Sequence, residues 1–254
     1  MMNKSTIIYL FLLLPALVHA QIDRRPQYSD SNNKGTAILF HLNLGVHIPA
    51  ADMAKRFGVD QSVGGGLERI SDNNFIVGIE GHYFFSQKVK EDPLKNIRTP
   101  EGDIIGIDQG LASLVLRERG FYIGTNIGKL ITFDAVKRSG LRVTAGAGWL
   151  QHWIRLQDDQ QTVPLVSGDY QKGYDRLTGG FALNEYIGWQ KMSTSRRVNW
   201  YFGLEMNQGF TTTMRDYDFA ERRKLTGRRL DLRFGLRAGW ILPFYQRKPE
   251  DIYY

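Results

Sequence analysis

Strict alternation of apolar and polar residues constrains this chain more than any other feature. Ile38, Phe40, Leu42, Leu44, Val46 and Ile48 fall on one parity, against His41, Asn43, Gly45 and His47 on the other, where Leu39 is the one apolar member. Phe75, Val77, Ile79, Tyr83 and Phe85 repeat the pattern opposite Gly78, Glu80 and His82. Val198, Trp200, Phe202, Leu204, Met206 and Phe210 stand opposite Asn199, Gly203, Glu205, Asn207 and Gly209. Leu230, Leu232, Phe234, Leu236, Ala238, Trp240 and Leu242 stand opposite Asp231, Arg233, Gly235, Arg237 and Gly239. Period two is the signature of a β-strand whose two faces meet different surroundings.

Weaker stretches at 63–70, 108–117, 120–131, 141–156 and 179–191 fill the gaps. Ser71-Asp72-Asn73-Asn74, Arg117-Glu118-Arg119-Gly120 and Met192 to Arg197 read as short turns, and longer polar segments lie at 49–62, 87–107, 158–178 and 214–229. Short turns alternating with long loops suit an up-and-down antiparallel transmembrane β-barrel, with turns at the periplasmic end and loops outside. Nine strands cannot close such a barrel, which takes an even number. The conflict lies between residues 120 and 178, and the expectation is eight strands, with ten as the alternative.

The polarity of the faces separates a membrane barrel from a soluble one. Gly45, Gly78, Gly203, Gly235 and Gly239 all sit on the polar face, where small residues suit a narrow interior, while the apolar face is built of Leu, Ile, Phe and Trp as lipid contact requires. Trp149, Trp189, Trp200 and Trp240 are read near strand ends, at the level of the lipid headgroups. Lys4, the apolar run Ile7 to Leu14 and Val18-His19-Ala20 form a secretory signal peptide over 1–20, with cleavage expected before Gln21. The chain has no cysteine, which excludes a lipoprotein anchor, disulfides and thiolate metal sites. Loss of Lys4 takes the net charge from +7 to +6. Past residue 20 no apolar run has the length of a membrane helix, so a membrane location demands a closed barrel. The expected organisation is a polar flexible leader over 21–35, the barrel over 36–245 and a tail over 246–254.

With its signal ending before Gln21, its Gly- and aromatic-rich strands, and segments such as Lys95-Asn96-Ile97-Arg98-Thr99 and Gly173-Tyr174-Asp175-Arg176-Leu177, the chain resembles small outer-membrane β-barrel proteins of Bacteroidota over about residues 1–245. That resemblance implies a barrel of unassigned role, or one serving secretion or surface assembly. The chain departs from the usual barrel ending on an aromatic residue, because Pro243 and Pro249 separate Tyr254 from a strand read as stopping near Leu242. Phe244-Tyr245 is the alternative terminal signal.

Little in the sequence points to catalysis. Glu80, His82, Glu205, Arg233 and Arg237 form a candidate polar cluster in the lumen, where opposite charges neutralise one another. His41, His47 and His82 share that face. At about 3.3 Å per residue, however, His41 and His47 lie roughly 20 Å apart, too far for one ion, so no metal and no cofactor is expected. His152, Asp158 and Ser167 are the only rim candidates for a hydrolytic triad, and no hydrolase or phosphate-loop motif supports them. Gly64-Gly65-Gly66 begins a strand and reads as close packing or a bend. Arg222, Arg223, Lys224, Arg228 and Arg229 crowd one loop among Asp216, Asp218 and Glu221, and Arg196-Arg197 occupy a short turn. The loop reads either as an internally paired, solvated segment or as a contact for lipid phosphates or an acidic partner. Nucleic acid does not fit an exported chain. The expected partners are outer-membrane lipid and an envelope protein docked on the long loops. The expected function is a non-enzymatic structural or interaction role. The alternatives are a lipid-modifying barrel enzyme and a soluble periplasmic barrel binding a lipophilic ligand.

Overall fold

The computed structural model describes residues 35–133, 138–193 and 198–245. The expected signal peptide, all but the last residue of the leader, the tail and Arg196-Arg197 lie outside these residues. The alternating stretches form strands, and eight of them close into a ring. These are β1 (Ala37–Ala51), β2 (Asp60–Ile70), β3 (Phe75–Ser86), β6 (Leu114–Thr132), β7 (Gly140–Asp158), β8 (Thr178–Lys191), β9 (Trp200–Thr213) and β10 (Arg229–Tyr245). Each pairs antiparallel with the next in the chain, and β10 closes on β1. Two short strands, β4 (Ile104–Ile105) and β5 (Leu111–Ala112), make a separate hairpin between β3 and β6.

Four sequence readings need correction. Residues 117–120 are not a turn: β6 runs through them, paired with β7 from Leu114↔Asp158 to Thr132↔Gly140, so the ninth strand disappears. The alternation persists there in polar letters, with Glu118 and Gly120 inward, and Gly120 leaves room for the Phe84 ring, which a Cβ would approach to 2.2 Å. The segment 49–62 is strand at both of its ends, and only 52–59 connects β1 to β2, around the one-turn helix α1 (Met53–Arg56). Gly64-Gly65-Gly66 lies inside β2, where Gly64 and Gly66 admit the rings of His82 and His41 at distances that a Cβ would close to 2.7 and 2.8 Å. Finally, β10 continues through Pro243, opposite Leu39, to Tyr245. Its ladder with β9 runs to Trp240↔Trp200, and Ile241 N–H still donates to Asn199 O, so Pro243 lies beyond the described pairing with β9.

Both described ends of the ring lie with the short connections 71–74, 133–139 and 192–199, and the long ones gather at the opposite end. Ser71 and Asn74 close the first turn, with Asn74 at φ 61°. The outer wall is apolar: Leu44, Ile79, Ile123, Phe202 and Leu204 are each about half exposed or more, while the residues between them point inward and are buried. Phe133, Trp189, Trp200, Trp240 and Phe244 are exposed at the short-turn end, and Tyr83, Trp149, Phe181 and Phe210 at the other. Trp149 is therefore mid-strand in β7 yet at the upper aromatic belt, because β7 continues far above it. On β6 the outward band is bracketed by Lys129 and Arg119, ten residues apart, or roughly 25 Å of height at about 3.3 Å per residue and about 40° of tilt. That is the thickness of an outer-membrane apolar band. Polar side chains interrupt the wall at Thr125 on β6 and where Glu185, midway along β8, faces outward and accepts a hydrogen bond from the outward Gln208 Nε2 of β9 (2.9 Å). The outward Glu185 explains why β8 alternates weakly.

Candidate functional site

The lumen is the densest concentration of polar chemistry, and the strands place it by parity alone. Arg237 on β10, fully buried, directs Nη1 to Glu80 Oε2 (3.0 Å), Glu205 Oε1 (3.2 Å) and His82 Nε2 (3.1 Å), and its guanidinium lies 4.5 Å from the Tyr186 ring centre. Four of the five residues expected as a lumen cluster thus meet directly. The fifth, Arg233, joins through His47. It donates to His47 Nδ1 (3.1 Å) and to both oxygens of Asp60 (2.5 and 3.1 Å), and His47 Nε2 faces Glu205 Oε2 (3.0 Å). Nearer the short turns, Arg142 pairs with Glu68, which also accepts from Asn126 (2.8 Å) and stands 3.6 Å from His41. Asp60, Glu68 and Arg142 were missed because parity gives a residue's face but not its partner across the ring.

Apolar layers seal this network at both ends. Leu39, Ile70, Ile76, Leu130, Met192 and Ile241 close the short-turn end. Met53 and Phe57, carried by the α1 segment, fold onto Phe84, Tyr122, Leu150 and Ile154 at the other. A soluble ligand-binding barrel needs the reverse arrangement, an apolar cavity and a polar exterior, so that alternative falls.

Two chemical readings of the buried groups can be tested on geometry. His41, Glu68 and Glu80 bring one ligand atom each to within 4.8 Å of one another, but Arg142 and Arg237 already sit on the two carboxylates, and a metal ion there would face two fixed cations. The rim candidates His152, Asp158 and Ser167, which no motif supported, do not come together. His152 Nε2 meets Asp231 (2.9 Å), Asp158 accepts backbone N–H groups of Gln160 and Val163, and Ser167 donates to Pro164 O. The hydroxyl nearest this pair, Thr211, bonds Asp231 (2.5 Å) rather than the imidazole.

Above the barrel, three long connections share a core of Leu94, Ile104, Val163, Val166, Tyr174 and Ala220, packed on Leu156 of β7. Arg176 ties them together, with Nε at 3.2 Å from Glu91, Nη1 at 2.7 Å from Asp218 and Nη2 at 3.4 Å from Glu221. Arg56 of α1 reaches Glu91 (2.7 Å) and Thr178 (2.7 Å), and its burial pushes the guanidinium down to about 10, still charged at neutral pH. Asp175 holds Arg215 through a two-point hydrogen bond that raises the guanidinium further. Because Asp218 and Glu221 are taken by Arg176, the basic loop is only partly paired internally. Lys224 meets Asp216 (3.1 Å) and Arg229 meets Asp231 (3.0 Å), while Arg222, Arg223 and Arg228 are exposed and make no ion pair among the described residues.

These features define a class: an eight-stranded membrane β-barrel with a salt-bridged, sealed lumen and a folded cap. No family model and no curated protein matches the sequence. Solved structures similar in fold include Neisserial surface protein A (11% identity, 83% of this chain and 100% of that one, TM-score 0.42). Others are Ail, the attachment invasion locus protein of Yersinia pestis, in complex with the heparin analogue sucrose octasulfate (10%, 82% and 99%, 0.40), and the N-terminal β-barrel domain of Pseudomonas aeruginosa OprF (8%, 79% and 96%, 0.33).

Proposed function

We propose that the protein is a non-enzymatic outer-membrane barrel that anchors a folded cap at the cell surface, and that the cap docks a partner protein. The observation that carries this reading is a lumen closed by apolar layers beneath loops that own a hydrophobic core. A pore has no use for such a lumen, and idle connections have no use for such a core. Loops longer than about 12–15 residues are more often functional than not. The unpaired Arg222, Arg223 and Arg228 give the cap a basic face suited to acidic groups on the partner. Exposed apolar side chains on the cap, among them Ile107, Leu111, Tyr170 and Tyr217, add contact area.

The test is deletion of residues 160–172. Barrel assembly, read as a heat-modifiable gel shift, should survive, co-purification of partners should be lost, and planar bilayers should show no conductance steps from the intact protein. Retention of every partner and phenotype by the deletion, with loss on substitution of Glu80 or Arg237, would move the function into the lumen.

A further inference from the structure

Immediately above the upper aromatic belt, the outer face of the β6–β7 hairpin carries three arginines. Arg119 lies two residues above Phe121, opposite Trp153, with its guanidinium 6.0 Å from the centre of the outward Phe85 ring. Two residues higher, Arg117 and Arg155 stand directly across from each other. Like charges opposite one another in a ladder are destabilising, and here nothing offsets them. None of the three makes an ion pair among the described residues, and the one hydrogen bond of this group runs from Arg119 to Glu118 O (2.7 Å). The nearby carboxylates do not reach them: Glu118 points inward, where its side-chain oxygens are buried without a hydrogen-bond partner among the described residues, and Asp158 holds backbone N–H groups. Arg117 Nε is buried without any partner, whereas Arg155 is exposed.

We propose that Arg117, Arg119 and Arg155 form a binding site for the phosphate-bearing headgroup of a lipid in the leaflet at the long-loop end. The inference rests on the outer-membrane reading above. Position selects a lipid over a protein. At about 3.3 Å per residue and about 40° of tilt, the three residues lie roughly 5–10 Å above Phe121, with Arg119 at the upper edge of the apolar band and Arg117 and Arg155 just beyond it, where the headgroup layer begins. Arginine selects phosphate, because its planar fork matches two phosphate oxygens at once. Trp153, between Arg119 and Arg155 on the same face, supplies the amphipathic ring that such interfaces favour. A dianion seated between the two guanidinium groups relieves the like-charge pair.

The experiment uses the full chain folded in detergent. It is mixed with a phosphorylated lipid A, the same glycolipid with its phosphates removed, or inorganic phosphate, and bound lipid is counted by native mass spectrometry. Wild type should retain the phosphorylated lipid in preference to the dephosphorylated one. Arg117→Gln/Arg155→Gln should weaken that retention about tenfold or more, as expected for the loss of two charge-assisted contacts. The same variant should be at least as resistant to denaturant as wild type without the lipid and less resistant with it, a reversal that a merely structural role does not produce. If the double variant does not fold, Arg155→Lys at the exposed position carries the test, with the charge kept and the fork lost. Equal retention of the two glycolipids, protection by inorganic phosphate alone, or the same loss in Arg222→Gln/Arg223→Gln would overturn the site. Failure of the chain to insert into vesicles would instead strike the membrane reading itself.

Discussion

Replacing Arg237 with Met tests whether the lumen is a dry, ion-paired core. The side chain is fully buried, and one guanidinium nitrogen serves Glu80, Glu205 and His82 within 3.2 Å. Met fills similar volume between Tyr186 and Tyr201 but leaves two carboxylates without their shared cation. Glu205 keeps His47 and Asn184 (2.6 Å), whereas Glu80 keeps only His82 at 3.4 Å. Breaking a buried pair from one side costs about 3–5 kcal/mol, most of it the uncompensated charge left behind. Arg237→Met should therefore lose about that much in urea titrations, with the folded fraction read from heat-modifiable migration. Adding Glu80→Gln removes the less compensated buried charge and should recover about 1–2 kcal/mol, a coupling within the range for residues of one network. A single-variant loss below about 1 kcal/mol, with no recovery in the double variant, would mean that water fills the lumen and screens these pairs. The sealed-core reasoning would then fail.

Three further outcomes follow from the faces and the cap. Phe202→Arg or Leu204→Arg places a charge on the outer wall and should cost about 2–4 kcal/mol in lipid, measured by the same titration; equal tolerance in lipid and in exposed loops would reverse the facing. Glu185→Leu, although it removes a hydrogen bond to Gln208, should leave stability in lipid unchanged or higher, whereas Glu205→Leu on the inner face should lower it; the opposite order would refute the parity assignment. Arg176→Gln cuts the ties to Glu91, Asp218 and Glu221, so limited proteolysis should nick segments 87–113 and 159–177 sooner while the gel shift of the barrel persists.

What the sequence disclosed follows the lipid more closely than the strands. β1, β3, β9 and β10 were legible because both of their faces are marked, one by Leu, Ile, Phe or Trp and the other by Gly, His or charge. β8 was blurred by the outward Glu185, and β7 by the small outward residues Ala145 and Ala147. The failure at β6 has the same origin. Above Phe121 its outward positions are Arg119 and Arg117, since the wall there no longer meets hydrocarbon, and a polar run flanked by glycine imitates a turn. Face assignment was also enough to put Glu80, His82, Glu205, Arg233 and Arg237 in one lumen. It was silent on pairings such as His47 with Glu205, 158 residues apart, because those depend on how the ring closes. The length of β6 gives the mismatch a purpose. A strand of 19 residues is about twice what the apolar band needs, and the excess, paired with β7, rises beside the mouth to carry Leu114, Leu116 and Leu156 into the cap core. The same overshoot lifts Arg117 and Arg155 out of the apolar wall. A hydropathy pattern stops at the membrane surface, so the part of the barrel that builds the cap and the arginine site is the part that it reads as loop.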